Sequence, residues 1–417
     1  MKEWLNEKML PLFLSFFNAK PLVALRNGMT YTIPVTIAGS LFFLLAHFPI
    51  RSISEWITST GVSIYLDQVY KGTFAVMSFW IVSAVAYAYT KEEGVETLSA
   101  GIVAAVAYLL LILPVEDGGF ELVLAGGQGI LGAVIVGLLA GWGYSKMLKY
   151  GKRLKLGKNI PENVLQSFVG LIPALMIVLL SLIVSVGSQK IWHKPMIQLI
   201  HEFIQLPVQS FADSLIGVIL LGFFIPFLWL FGVHGSAMIN GLVGPVLQAN
   251  SLANAELLAS GKELTVENGG HIVTQQFLDQ FMTVTGAGLT LGIVCFMVGF
   301  ARSETFRQLG KLSVFPAIFN INESIIFSTP IVMNPMMAVP FILTPVLSGL
   351  VTYTALYFEW VPLFTAVQVP WTTPPILSGF LVGGIPAALL QGIVLILGFF
   401  IYLPFLKKID DLNLKQR

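Results

Sequence analysis

Residues 319–335 read Phe-Asn-Ile-Asn-Glu-Ser-Ile-Ile-Phe-Ser-Thr-Pro-Ile-Val-Met-Asn-Pro. They place a carboxylate, Glu323, between amides at Asn320 and Asn322 in a chain that is 56% hydrophobic and 11% charged. Prolines at 316, 330 and 335 interrupt the surrounding backbone. An ionisable group at membrane depth is costly and marks function by default. Broken backbone at that depth survives only where it is buried or lines a cavity. The coincidence of the two predicts a polar ligand site. A neutral amide would serve a structural role more cheaply than Glu323. Asn320 and Asn322 fit either of two roles: donors and acceptors for sugar hydroxyls, or caps at a hairpin tip.

A second break lies upstream, at 227–241: Phe-Leu-Trp-Leu-Phe-Gly-Val-His-Gly-Ser-Ala-Met-Ile-Asn-Gly. His234 sits between Gly232 and Gly235, and glycine lets backbone approach a ligand closely. A histidine there either caps the helix break or exchanges a proton with a hydroxyl. Paired interrupted segments are the best sequence pointer to a transporter's central site. Trp229 and Trp371, the latter in Val-Pro-Trp-Thr-Thr-Pro-Pro (369–375), offer faces for stacking on a sugar ring. Anchoring at the membrane interface is the alternative for both. In the first half, Gly72 and Gln128 open two spans. They either expose polar groups to the same cavity or serve capping and close packing. Asn240 and Asn334 read as caps.

The elements that position these residues follow from composition. Soluble domains carry about 25% charged residues, so this chain reads as a polytopic membrane protein embedded in lipid. Its net charge of +1 points away from nucleic acid. The single cysteine, Cys295, excludes an intramolecular disulfide, and its apolar surroundings predict a small core residue. A span needs about 20 apolar residues. Candidates are 29–48, 71–90, 95–114, 128–148, 164–187, 211–231, 283–301, 336–358 and 380–405. The stretches 232–282 and 312–335 are too polar or too broken for ordinary spans and read as re-entrant hairpins or half-helices. The expected fold is all-α and polytopic, with about ten transmembrane helices plus two re-entrant hairpins.

Charge gives the orientation. Residues 146–158 hold six Lys or Arg and no acid, which places that loop inside. The turn Val-Glu-Asp-Gly-Gly-Phe-Glu (115–121) is acidic and outside. Both termini read as cytoplasmic, so the crossings are even in number. Residues 1–20 suit an interfacial amphipathic helix. Residues 21–187 form a scaffold half of about five spans, 188–210 an amphipathic linker, 211–405 a substrate half and 406–417 a tail. No ATP-binding loop and no metal-ligand spacing occurs. Neither metal nor cofactor is expected.

With these residues in hand, the run from Lys311 to Pro335 resembles a family signature. It is that of the membrane-spanning IIC (permease) component of the phosphoenolpyruvate-dependent sugar phosphotransferase system, in the lactose/cellobiose/diacetylchitobiose branch. The segments Trp229…Gly232-Val-His234-Gly235 and Trp371-Thr-Thr-Pro-Pro match in order and spacing. Ser324 departs from the usual proline and Ser328 from a common glycine. The resemblance implies a homodimer in the bacterial inner membrane. It also implies a β-linked disaccharide at mid-membrane, translocated by alternating access. His234 and Glu323 would sit at the hydroxyl that receives phosphate, as the catalytic pair. Trp371 would stack on a ring and Trp229 would line the pocket, while Gly72 and Gln128 match pocket positions loosely. Phosphate would come from the phosphocysteine of a separate IIB subunit, and indirectly from IIA. This chain is expected to carry no phosphoryl group itself, since it ends at Arg417 without a soluble domain and its one cysteine lies in a membrane helix. The rival reading is a proton-coupled sugar transporter with His234 and Glu323 as the proton relay.

Overall fold

The computed structural model describes residues 10–48, 50–95, 98–114, 122–153, 162–329, 331–332 and 334–415. Residues 1–9, the acidic turn 115–121, the basic stretch 154–158 and Pro330 lie outside the described residues. Regular structure among the described residues is entirely helical. Among the described residues six helices are long and apolar enough to cross a membrane: Lys20–Ala46, Val62–Glu92, Gly127–Tyr150, Gly170–Trp192, Pro335–Tyr357 and Leu377–Leu414. A seventh candidate is the pair Met196–Ala212 and Leu215–Leu230, bent by 72°. Leu98–Ile112 is apolar but only 15 residues long.

Two stretches differ from expectation for local reasons. The span expected at 283–301 is helical only over Leu291–Gly299. Ahead of it Thr285, Gly286, Gly288 and Leu289 all have positive φ, which a right-handed helix cannot contain. Conversely, 232–282 holds an uninterrupted 25-residue helix, Gly235–Ala259. Asn250 and Asn254 in it are buried and partnered rather than loop-forming. Asn254 donates to the carbonyls of His271 and Phe364, each at 2.8 Å, and Asn250 to that of Val273 at 2.7 Å. Asn240 is therefore mid-helix and not a cap. Asn334 is a cap, its Oδ1 accepting from the Met336 N–H at 2.9 Å.

Exposed surface has the pattern of a lipid-facing protein. Along Glu162–Trp192, Leu171, Leu175, Leu179 and Leu182 form one stripe at helical spacing, and all are exposed. Cys295 is exposed on Leu291–Gly299 rather than in the core. Apolar surroundings in sequence do not imply burial when the outer face of the helix meets hydrocarbon.

The chain forms two compact units: 1–39, 70–209 and 241–249 make the first, and 40–69, 210–240 and 250–417 the second. In the first, Met77–Glu92 packs tightly on its neighbours through small residues. A Cβ added to Gly101 would stand 2.8 Å from the Ser83 carbonyl, and one on Gly137 2.9 Å from that of Val82. In the second, Leu215–Leu230 lies against Pro335–Tyr357, with Gly222 against the Val346 backbone and Gly349 against Val218. The helix Leu377–Lys415 is broken at Gly383 and Gly384.

Candidate functional site

His234 is placed by the end of one helix and the start of the next. Leu215–Leu230 stops where Gly232 turns to φ +75°. The Gly232 and Val233 N–H groups then close back on the carbonyls of Trp229 and Leu228 at 2.9 and 3.2 Å. Gly235 opens the next helix pressed on the Ile225 carbonyl, which a Cβ would meet at 2.0 Å. His234 caps that helix. Its Nδ1 accepts from the Ala237 N–H at 3.1 Å. An imidazole nitrogen that accepts carries no proton, so neutral His234 bears its hydrogen on Nε2. The ring is exposed and its Nε2 is left as an outward donor. Of the two roles open in the sequence, the cap is taken by Nδ1, which leaves Nε2 outside it.

Glu323 opens the short helix Glu323–Ser328 and is half-buried. Among the described residues its carboxylate has no hydrogen-bond or ion-pair partner. Phe327, four residues on, lies on the same face of that helix. Its ring centroid is 6.1 Å from that of Trp229, which in turn is 4.5 Å from that of His234. The two sequence breaks are therefore joined by the row His234–Trp229–Phe327, with Glu323 one helical turn from its end. Trp229 is buried, and its indole N–H lacks a partner among the described residues.

Asn320 and Asn322 spend their amides on the protein itself. Asn320 stands at φ +64°. Its amide donates to the carbonyls of Trp371 at 2.5 Å and Thr373 at 2.8 Å, while its oxygen accepts from the Thr285 N–H at 2.9 Å. Asn322 donates to the Ala287 carbonyl at 2.8 Å and to the Thr290 hydroxyl at 3.0 Å. Gly286, at φ +86°, leaves room for that amide, since a Cβ there would lie 2.2 Å from the Asn322 side chain. Both asparagines staple the Glu323 turn to the strained run 283–290, and Asn320 also to the loop of Trp371. Ser324 reaches the Ser313 hydroxyl at 3.4 Å.

Trp371 is 59% exposed on a loop without regular structure. Its neighbours are fixed by buried side-chain amides that sequence reading did not single out. Gln276 and Gln280 take the N–H and carbonyl of Val369 at 3.2 and 3.1 Å. Gln391 accepts from the Ile376 and Gly379 N–H groups and donates to the Gln280 carbonyl at 2.7 Å. A lone glutamine inside an apolar run, as Gln391 is in Leu-Leu-Gln-Gly-Ile, was the available signal.

Gly72 and Gln128 belong to the first unit. A Cβ on Gly72 would meet open space. Gln128 lies in the turn Gly127–Gly129, which Ser78, Tyr108 and Gln205 hold by hydrogen bonds to the carbonyls of Gly126, Gly129 and Gly127. Its own amide makes no hydrogen bond among the described residues. No group of three or more metal-ligating side chains occurs among the described residues.

Comparison with known proteins gives a consistent picture. The family described as "Phosphotransferase system, EIIC" matches residues 26–345. The "Lichenan permease IIC component" of Bacillus subtilis (strain 168) is 32% identical over 430 residues, covering 99% of this chain and 94% of that protein. The "PTS system cellobiose-specific EIIC component" of Geobacillus stearothermophilus is 30% identical over 419 residues, covering 96% and 92%. Among solved structures, that of ChbC, "the IIC component from the N,N'-diacetylchitobiose-specific phosphotransferase system", superposes with a TM-score of 0.91 at 29% identity, over 99% of both chains.

Proposed function

The chain belongs to the EIIC family of the phosphotransferase system and is a membrane-embedded sugar permease, and from that premise we propose that it binds a β-linked disaccharide and presents one hydroxyl for phosphorylation. The observation that carries the reading is the half-buried carboxylate of Glu323, without a partner among the described residues, one turn from the aromatic row that ends at His234. The names of the similar proteins, for lichenan, cellobiose and diacetylchitobiose, support a β-linked sugar of this class.

The tautomer divides the labour. His234, capped at Nδ1, donates from Nε2 to a sugar oxygen and fixes its position. Glu323 is the base. As the sugar oxygen attacks the phosphorus of a phosphocysteine on the IIB subunit, the P–S bond breaks, the thiolate leaves and the hydroxyl proton passes to Glu323. Trp371 stacks on a ring and Trp229 lines the pocket. Asn320 and Asn322 act by holding Trp371 and Glu323 in register. Translocation proceeds by alternating access in a homodimer, in the bacterial inner membrane with both termini cytoplasmic.

The test uses purified chain with a panel of cellobiose, lactose and diacetylchitobiose, first for binding and then for phosphorylation by phosphorylated IIB. The reading requires saturable binding of at least one sugar. It also requires Glu323→Gln to retain binding within about tenfold while slowing phosphoryl transfer by about 100-fold or more, the range for loss of a general base. Equal transfer rates in wild type and Glu323→Gln would remove Glu323 from that role.

A further inference from the structure

Asp279 is a carboxylate that the phosphorylation chemistry does not use. It lies in the wide turn Leu278–Met282, directly after Gln275–Phe277. Its Oδ2 accepts from Gln275 Nε2 at 3.0 Å, and the same nitrogen donates to Asn240 Oδ1 at 3.2 Å. Gln275 is the one partner of the carboxylate among the described residues, and no Lys, Arg or His is paired with it there. Asp279 is half-buried, and its other oxygen, Oδ1, makes no hydrogen bond among the described residues.

Its neighbours tie this carboxylate to the site from two sides. Asn240 lies on the helix that His234 caps, six residues further on. At 1.5 Å per residue that is about 9 Å along the axis, close to the span of two linked sugar rings. Gln276 and Gln280, which flank Asp279, hold Val369 two residues before Trp371. A bracing role for Gln275 would be met by a neutral side chain without the cost of an unpaired charge in the membrane interior.

We propose that Asp279, oriented by Gln275 and Asn240, is a binding residue for the sugar ring remote from His234 and Glu323, accepting hydrogen bonds from its hydroxyls. This rests on the permease reading and extends it from the reacting hydroxyl to the length of the ligand. Charge-assisted acceptance from sugar hydroxyls favours a polyhydroxylated second ring over an apolar aglycone.

The experiment is calorimetric titration of the full-length chain with cellobiose, for wild type, Asp279→Asn and Gln275→Leu, with thermal unfolding as the check on folding. Asp279→Asn should weaken binding about 10- to 100-fold, the size of a lost hydrogen bond to a charged group, with unfolding unchanged. Gln275→Leu should weaken it less. A dissociation constant for Asp279→Asn within twofold of wild type overturns the proposal. If Asp279→Asn does not fold, wild type is titrated with cellobioses lacking single hydroxyls on either ring. A loss of tenfold or more from the ring remote from phosphorylation supports the subsite, and none overturns it. Failure of wild type to bind any disaccharide overturns the permease reading and the subsite together. Retained binding with an indifferent Asp279→Asn overturns the subsite alone.

Discussion

The side-chain amide of Asn320 donates to the carbonyl oxygen of Trp371 at 2.5 Å, across 51 residues of sequence. It uses its other hydrogen on Thr373 and its oxygen on Thr285, so the whole amide is occupied by backbone. Three non-helical segments meet at this one side chain.

Asn320→Ala should therefore act on the Trp371 loop before it acts on sugar chemistry. The variant orphans the Thr285 N–H and two carbonyls and leaves alanine at φ +64°. The expected loss is about 2–4 kcal/mol, from unsatisfied buried groups and left-handed strain together. Hydrogen exchange at 369–376 should rise while that of Leu98–Ile112 stays unchanged. Uniform exchange across both would mean the staple does not hold the loop.

His234 separates cap from donor. Asn at an N-cap replaces the acceptor that Nδ1 supplies, so His234→Asn should keep wild-type thermal stability. It removes the Nε2 donor, and disaccharide affinity should fall about tenfold for one lost hydrogen bond. His234→Ala should lose the same affinity plus about 1 kcal/mol of stability from the missing cap. Equal stability of the two variants would argue that Nδ1 does not cap.

The two breaks carrying His234 and Glu323 were legible because charge and amide are rare in a chain this apolar, so each stood out against its surroundings. Their joining through Trp229 and Phe327 was not legible. Phe327 is one of 31 phenylalanines, and nothing in its local sequence distinguishes a ring that meets Trp229 from one that meets lipid. Asn320 and Asn322 were found by type and position, but residue type alone could not decide whether an amide serves a ligand or the backbone. That depends on carbonyls at 371 and 373 that are distant in sequence. The helix Gly235–Ala259 is hard to read from sequence because its polar residues look solvent-seeking until Asn250 and Asn254 are seen to bond neighbouring backbone. In the run 283–290, glycines marked the bends, but the left-handed Thr285 and Leu289 carry no sequence signal.

Gly286 tests that run directly. An alanine there meets two penalties at once: φ +86° and a Cβ that would lie 2.2 Å from Asn322. Gly286→Ala should destabilise by more than about 2 kcal/mol, since either strain or displacement of a buried amide costs about 1–3 kcal/mol alone. Gly232→Ala shares the positive φ, but its Cβ would meet open space. It should cost only the backbone term, about 1 kcal/mol. Thermal unfolding of the pair separates strain from collision, and equal shifts would show that Asn322 yields without cost.

An acid-sensitive contact lies at a different place, beyond the end of Met77–Glu92. Glu93 accepts from Lys149 and, at 2.9 Å, from Lys20. Hydrogen bonds from Lys149 first and Lys20 second hold its carboxyl at about 2, below an ordinary 4.5. A folded-state value below the unfolded one gives stability that is complete above the unfolded value and lost as pH falls through the folded one. The window is therefore about pH 5 down to about pH 2. The linkage corresponds to at most about 3 kcal/mol, and solvent around the half-exposed lysines reduces it to about 1–2 kcal/mol. Glu93→Gln should lower the unfolding temperature at pH 7 and flatten its decline between pH 5 and 3. Lys149→Met should remove more of that pH dependence than Lys20→Met, because Lys149 is the stronger partner. Parallel acid profiles for wild type and Glu93→Gln would place the acid-labile contact elsewhere.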